Sequence, residues 1–416
     1  MSNMELLAPA GDLEKLKIAL LYGADAVYFA GKVAGLRAGA GNFSLSEIEE
    51  AVTFCRSQNR RAYLTVNAFS HPGEAAELEA FLRALTGFAP DGFIFSDPGV
   101  LSLLKTVFPN AGKEGGPELH LSTQASVTNA AAAKFWYEQG VRRIILAREL
   151  SLSEIAQIRT EIPNDLELEV FVHGAMCMAY SGRCLLSNFL TGRDANRGDC
   201  AHTCRWKYAI VEEQRPGEYI PIETDQYGSY LLSSKDLCML ENVSDLLHSG
   251  IASAKIEGRM KSLYYVATIV RAYRHIIDEA LSSPGQTVSA ESLAYWKEEL
   301  SKASHRNYTT GFFYGNPGME GQDDKSGGYQ RSYVYLGIVT GYNPEDGLLA
   351  FEQRGKFSQG EIVEIFGPQR AFLEMTVEEL FDEYQNPIQS VPHAQQKAFL
   401  RVPSRVEPYS LIRKKL

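Results

Sequence analysis

The first two-thirds of the chain alternate short apolar runs with stretches in which apolar residues recur at the spacing of an amphipathic helix. Eight runs predict β-strands, and several are continuously apolar, which is typical of buried parallel strands. They are Glu5–Ala8, Ala26–Phe29, Ala62–Val66, Gly92–Phe95, Glu118–Leu121, Arg143–Leu146, Leu168–Val172 and Ala252–Ile256. Eight strand-then-helix units in roughly 280 residues predict an α/β fold, a (β/α)8 TIM-like barrel.

Helix start signals support this interpretation. Two capping boxes are predicted, one formed by Ser46 with Glu49 and the other by Ser151 with Glu154. Two more helical stretches, Leu263–Ala280 and Glu291–Ala303, follow the last strand. The Gly-rich segment Gly315–Gly328 then predicts a flexible connection.

Beyond that segment the pattern changes to short strands separated by turns. The predicted strands are Tyr333–Thr340, Leu348–Gln353, Glu361–Phe366, Ala371–Thr376, Lys397–Val402 and Tyr409–Lys414. They predict a small all-β barrel domain. The predicted organisation is therefore a TIM-like barrel over residues 1–314, a linker over 315–330 and a C-terminal β-barrel domain over 331–416.

Active sites of such barrels lie at the carboxyl ends of the strands. The residues that follow the predicted strands are unusually polar and include Asn67, Asp97, Ser122, Gln124, Arg148, Glu149, His173, Glu257 and Arg259. The longest connection is an insertion at about 174–240. It carries four of the six cysteines, so we expect these thiols to lie over the mouth of the barrel.

The four clustered cysteines are Cys177, Cys184, Cys200 and Cys204, separated by six, fifteen and three residues. The chain starts without the basic and apolar regions of a signal peptide, so we expect a reduced, cytoplasmic protein. Such a protein clusters thiols to hold a metal or to perform redox chemistry. There is no paired C-x-x-C knuckle, so the spacing favours an iron–sulfur cluster, followed by zinc and then by redox or unliganded thiols. Cys55 and Cys238 are predicted to be buried apolar residues.

Composition narrows the classes of partner. The chain is 45% hydrophobic and 22% charged, and no apolar run approaches the length of a membrane helix, so no membrane partner is expected. The formal net charge of −10 argues against a surface coated for nucleic acid. The cysteine-bearing segment and the residues after it are nevertheless rich in arginine, which suits an anionic ligand.

Hydrolase motifs are missing from the sequence. It contains neither His-Glu-x-x-His nor a Gly-x-Ser-x-Gly elbow. Cys177 and His173 could form the cysteine–histidine pair of a protease, but a histidine beside such a cysteine cluster is more often structural.

Four blocks of sequence resemble the collagenase-like peptidase family U32. They are Glu169-Val-Phe-Val-His-Gly-Ala-Met-Cys-Met-Ala-Tyr-Ser-Gly-Arg-Cys, Glu5-Leu-Leu-Ala-Pro-Ala-Gly-Asp, Leu121-Ser-Thr-Gln and Lys255-Ile-Glu-Gly-Arg-Met-Lys-Ser. The resemblance covers the barrel, and the β domain resembles the C-terminal domain of that family.

The resemblance implies a function. Family members of similar length with all four cysteines act in tRNA hydroxylation, converting the wobble uridine to 5-hydroxyuridine with prephenate implicated as the hydroxyl source. Related branches hold a four-iron four-sulfur cluster, which maps onto the four clustered cysteines. The implied partners are tRNA, a small anionic co-substrate and, as a further option, a sister member of the family. A peptidase, and a scaffold that binds tRNA or protein without catalysis, are the alternatives.

Candidate site residues follow from the mouth of the predicted barrel. His173 and Glu257 are candidates for proton transfer. The candidates for binding the carboxylates of the co-substrate are Arg37, Arg148, Arg193, Arg197 and Arg259. A base that leaves its stack could contact Tyr180, Phe189 or Trp206.

Overall fold

The computed structural model describes residues 4–33, 35, 41–177, 179–206, 210–211, 219–220, 234–282, 288–321, 329–369 and 372–416. Arg37 lies outside these residues, as do most of 207–233 and the stretch 322–328 of the predicted linker. None of the helices within the described residues is long and apolar enough to cross a bilayer.

Parallel strands form a closed barrel in the N-terminal part of the chain. The described strands in this part of the chain are β1 (Glu5–Pro9), β2 (Ala26–Ala30), β3 (Arg61–Val66), β4 (Gly92–Phe95), β5 (Glu118–Leu121), β6 (Arg143–Ile145), β7 (Glu167–Ala175), β8 (Ile210–Val211), β9 (Tyr219–Ile220), β10 (Asp236–Cys238), β11 (Ser253–Ile256) and β12 (Tyr308–Thr309). Of these, β8 and β9 form a separate antiparallel pair, β10 runs antiparallel to β7, and β12 pairs with β10. Strands β1 to β7 pair in order, and β11 pairs in parallel with both β7 and β1. This closure confirms the predicted fold class and all eight predicted barrel strands, with shifts of one to three residues at several ends.

Helices surround the barrel and follow its strands. They are α1 (Leu13–Leu21), α2 (Leu45–Ser57), α3 (Ala75–Ala84), α4 (Pro98–Val107), α5 (Ala130–Glu138), α6 (Leu152–Glu161), α7 (Leu186–Thr191), α8 (Val243–His248), α9 (Leu263–Ser282) and α10 (Ala290–Ser301). The capping box of α6, Ser151 with Glu154, is confirmed. The box of α2 was placed two residues too late, because the serine that accepts from the third helical residue is Ser44, with Glu47 as its partner.

An antiparallel half-barrel follows. Its strands are β13 (Tyr333–Asn343), β14 (Leu348–Gln353), β15 (Phe357–Ser358), β16 (Ile362–Phe366), β17 (Phe372–Thr376), β18 (Leu380–Phe381), β19 (Ser390–Val391), β20 (Lys397–Arg401) and β21 (Leu411–Lys415). Seven of them form one sheet in the order β17-β16-β21-β13-β14-β20-β18. The sequence pattern found the six longer strands and missed β15, β18 and β19, which are two residues long.

The barrel interior is charged at its amino end. Arg143 on β6 is 2% exposed, and its guanidinium contacts three carboxylates, those of Glu5, Glu167 and Glu169. Above this layer lies a small apolar cluster of Leu7, Ala26, Tyr28, Tyr63, Ile94 and Ile145, with Phe171 packed against it. The space above the apolar cluster opens toward the carboxyl ends of the strands.

Candidate active site at the mouth of the barrel

A cavity of about 1000 Å³ opens at the carboxyl ends of the barrel strands. Its wall includes Asn67, Ser122 and Glu257, each of which directly follows a strand, and Arg148, which lies three residues after β6. The segment that follows β7 covers the cavity from one side and contributes all four clustered cysteines to its wall. The four thiols therefore lie over the mouth of the barrel, as predicted.

The four cysteines face a common space. Cys177 is exposed, and Cys184, Cys200 and Cys204 are partly buried. Burial raises the pKa of the Cys204 thiol; Arg205 opposes this shift, while Cys177, Cys200 and Cys184 add to it. Within the part of the chain that the structure describes, no three His, Cys, Asp or Glu side chains close on a point where one metal ion would sit. The four thiols are thus neighbours without the closed arrangement of a single-ion site.

Specific hydrogen bonds hold the cysteine-bearing segment on the barrel. The Glu149 carboxylate, just after β6, accepts from the backbone N–H of Ser181 at 2.6 Å and from its hydroxyl at 2.7 Å. Ser181 has a left-handed φ of 45°, so these bonds stabilise a conformation that serine rarely adopts. Within the segment, the Asn196 amide accepts from Cys184 N at 3.1 Å and donates to Cys184 O at 2.9 Å. The position of Cys184 therefore depends on a partner outside the thiols, the Asn196 amide.

The cavity is strongly cationic. Among the described residues that line it, eight side chains are cationic: Arg148, Arg183, Arg193, Arg205, Lys255, Arg259, Lys261 and Arg331. Two lining side chains are anionic, Asp199 and Glu257. The whole chain carries a formal charge of −10, so the positive charge is concentrated at this mouth.

Arg148 and Arg259, two of the predicted anion-binding residues, lie in the wall of the cavity. Arg148 donates to Ala175 O at 3.3 Å, and its guanidinium stacks 4.1 Å from the centre of the Phe171 ring. Its Nε is buried and finds no acceptor among the described residues. Arg259 is 4% exposed and donates to the Thr65 hydroxyl at 2.9 Å.

The other predicted cations are placed differently. Arg193 lines the cavity but is half exposed and paired with Asp199 at 2.8 Å. Arg197 pairs with Glu74 and lines a neighbouring cavity of about 370 Å³. Tyr180, the aromatic candidate for substrate binding, is 52% exposed. It is not among the described residues that line the larger cavity, although its neighbours Ala179 and Ser181 are.

The two candidates for proton transfer differ in access. Glu257 lines the cavity. His173 is 1% exposed and is not among the described residues that line the cavity. Its ring packs against Tyr265, Tyr273 and Tyr308 with centroids 5.5 to 6.0 Å apart. Burial lowers the pKa of His173 to about 3, so its imidazole is neutral at physiological pH.

Sequence reasoning did not select Lys255 as a site residue. Lys255 is 3% exposed, lines the cavity and donates to Glu169 at 2.8 Å. A signal was present, since Lys255 places a charge within the predicted buried strand Ala252–Ile256. The prediction of a strand does not by itself tell whether Lys255 faces the interior of the barrel or the helices around it.

The sequence comparisons define the family. Residues 11–323 match Peptidase family U32, and residues 331–413 match the Peptidase family U32 C-terminal domain. The chain therefore belongs to peptidase family U32.

Curated relatives in this family carry different functional names. The tRNA hydroxylation protein P1 of Bacillus subtilis is 40% identical over 410 residues, which are 99% of this chain and 94% of the relative. The 23S rRNA 5-hydroxycytidine C2501 synthase of Escherichia coli is 36% identical over 82% of this chain and 48% of the relative. A collagenase of Porphyromonas gingivalis is 30% identical over 92% of this chain and 91% of the relative.

Proposed function

We propose that this protein is a cytoplasmic tRNA-modifying enzyme that hydroxylates C5 of the wobble uridine and holds a four-iron four-sulfur cluster through Cys177, Cys184, Cys200 and Cys204. The observation that carries the proposal is the convergence of these cysteines and eight cationic side chains on one cavity. Cationic walls attract the phosphates of RNA and the carboxylates of a small co-substrate. The names of the tRNA and rRNA hydroxylation relatives favour the same chemistry.

The spacing of the four cysteines supports a cluster over zinc, because the paired C-x-x-C knuckles that are typical of zinc ribbons are missing from the sequence. All four thiols line one cavity, where they could hold such a cluster together. When bound, the cluster supplies the electron transfer that no protein side chain provides.

The residues of this chain would bind and orient the reactants. The uridine has to leave its stack to reach a cavity at the mouth of a barrel. Prephenate is the hydroxyl source we propose, and its carboxylates require cationic partners inside the cavity. Arg148 is suited to this role because a ligand oxygen would satisfy its buried Nε, and an unsatisfied buried donor costs about 1–3 kcal/mol.

Replacing the C5 hydrogen with a hydroxyl that leaves prephenate as hydroxide releases one proton and two electrons from the uridine, and the two electrons have to pass to an electron acceptor outside this chain. Glu257 presents a carboxylate to the cavity directly after β11, and we assign it the role of accepting that proton. Arg259, two residues later and fixed by Thr65, lies on the same loop and orients the anionic reactant.

The test is a measurement of iron, acid-labile sulfide and tRNA nucleosides. Protein purified without oxygen should carry about four iron and four sulfide per chain. We expect Cys177→Ala to lose most of both and to leave tRNA from a deletion strain without 5-hydroxyuridine. Cys55→Ala, a buried cysteine on α2, is the matched control and should keep both.

Two results would contradict the proposal. One zinc per chain without sulfide would make the cysteine site structural. Cleavage of gelatin by the highly purified protein, with normal 5-hydroxyuridine in the Cys177→Ala strain, would favour a peptidase instead.

A further inference from the structure

The bottom of the cavity combines apolar side chains with one buried lysine. Tyr28, Ile94 and Ile145 belong to the apolar cluster inside the barrel, Phe171 packs against that cluster, and all four side chains line the cavity. The Lys255 ammonium lies among them, 4.4 Å from the centre of the Tyr28 ring and 5.4 Å from that of Phe171. We call these five residues the cavity floor.

Lys255 is held in the floor from below. Its Nζ lies 2.8 Å from Glu169 Oε1, and Glu169 is fully buried. Arg143 contacts the other oxygen of Glu169 at 3.3 Å. Burial lowers the pKa of Lys255. At Glu169 burial alone would raise the pKa, but the nearby Lys255 and Arg143 outweigh burial and lower it. The hydrogen bond to Glu169 therefore fixes Nζ of Lys255 at one position.

A stable barrel does not require this arrangement. Interiors of such barrels are ordinarily filled by apolar side chains, and desolvating an ion pair costs several kcal/mol per ion. A lysine that is paired on one side and lines a cavity on the other can bind a ligand of opposite charge with its remaining donors.

Arg148 brings a second cation to the same ring. Its guanidinium lies 4.1 Å from the centre of the Phe171 ring, which Lys255 also approaches. Two cations that approach the same ring both attract an anion placed between them. Donors are available for such an anion, since an ammonium has three N–H groups and Glu169 accepts from one.

We propose that Lys255 and Arg148 together bind the carboxylate of a small organic acid at the cavity floor, with the apolar body of the acid against Ile94, Ile145 and Phe171. The inference rests on the proposed function in one respect: it assigns this site to the anionic co-substrate. RNA phosphates belong at the open rim instead, since each phosphodiester carries a ribose on both sides. Glu169 is then a positioning residue that acts through Lys255.

The test is calorimetric titration of the purified protein with prephenate and, separately, with phenylpyruvate, without tRNA. We expect Lys255→Met to weaken binding about 10- to 100-fold, the usual effect of losing one hydrogen bond to a charged group. Lys255→Arg, which keeps the charge, should restore part of the affinity. The matched control is Lys302→Met, because Lys302 is also buried and paired with two glutamates but lies outside the cavity.

Loss of folding would be recognised and separated. The double variant Lys255→Met with Glu169→Gln removes both charges of the pair, so no carboxylate is left without its lysine. If it unfolds at the temperature of the wild type and still binds weakly, the loss belongs to the ammonium.

Three results would overturn the inference: no binding of either acid to the wild type, unchanged affinity in Lys255→Met, or an equal loss in Lys302→Met. Binding that depends on Lys255 in a protein that makes no 5-hydroxyuridine would uphold the site and reject the proposed function. Normal hydroxylation with unchanged affinity in Lys255→Met would do the reverse.

Discussion

The Arg413 guanidinium on β21, the last strand of the chain, lies 2.8 Å from the Glu299 carboxylate on α10 of the barrel domain. Arg413 is fully buried and also contacts Glu364 on β16 at 2.7 Å. Lys302, one turn after Glu299, contacts both carboxylates as well. The half-barrel is therefore joined to the barrel through a buried ion cluster.

Removing Arg413 should destabilise the whole chain. Arg413→Met leaves two buried carboxylates without their main cation, and breaking a buried pair in this way costs about 3–5 kcal/mol. Urea unfolding measures the change in the free energy of unfolding. The control is Arg401→Met, whose pair with Glu379 is exposed and worth less than about 1 kcal/mol. Equal effects of the two substitutions would show that the cluster does not join the domains.

Gly174 should be indispensable where the cysteine-bearing segment leaves β7. Its φ is +109°, and a Cβ there would lie 2.6 Å from the Glu257 carbonyl oxygen. We expect Gly174→Ala to displace the loop after β11, lower the unfolding temperature and reduce the iron content. Gly182→Ala is the matched control, since Gly182 has a φ of +82° with nothing within 4 Å of the added carbon. It should show only the backbone strain, about 1–3 kcal/mol, and an unchanged iron content.

Buried His173 should make the protein less stable in acid. Its pKa is lowered from 6.5 to about 3 by burial, so between these values the unfolded chain binds a proton that the folded protein does not. Stability contributed by neutral His173 is therefore present above pH 6.5 and is lost as the pH falls toward 3. When the free energy of unfolding is measured with urea at several pH values, it should fall less steeply toward low pH in His173→Phe than in the wild type. His393→Gln, at an exposed position, should leave the slope unchanged.

The cationic side chains that line the cavity should make the binding of tRNA sensitive to salt concentration. A plot of log K against log salt concentration falls by about 0.7 for each phosphate contact to single-stranded RNA. We expect Lys261→Gln, which removes a cavity-lining cation, to reduce the slope by about that amount. Arg401→Gln removes a cation from the half-barrel and should not change it. Identical slopes for all three proteins would place the RNA elsewhere.

Local sequence signals predicted the fold. The apolar runs found all eight barrel strands because each parallel strand is covered on both faces, which leaves a continuous apolar pattern. The Ser151 capping box was also predicted correctly, because its partner Glu154 is only three residues away in the sequence. The box of α2 was misplaced by two residues because two overlapping serine–glutamate pairs fit the same spacing there.

The sequence by itself determined the alternation of strands and helices and the clustering of the four cysteines, since both depend on residues close together in the chain. Only the tertiary structure decided which polar residues meet. Closure of β11 against β7 and β1 turned Lys255 toward Glu169, 86 residues away, and into the cavity. His173 is likewise buried among tyrosines from later in the chain, and Arg197 lies beside Glu74, 123 residues away. Such contacts join distant parts of the chain, so no short-range pattern encodes them.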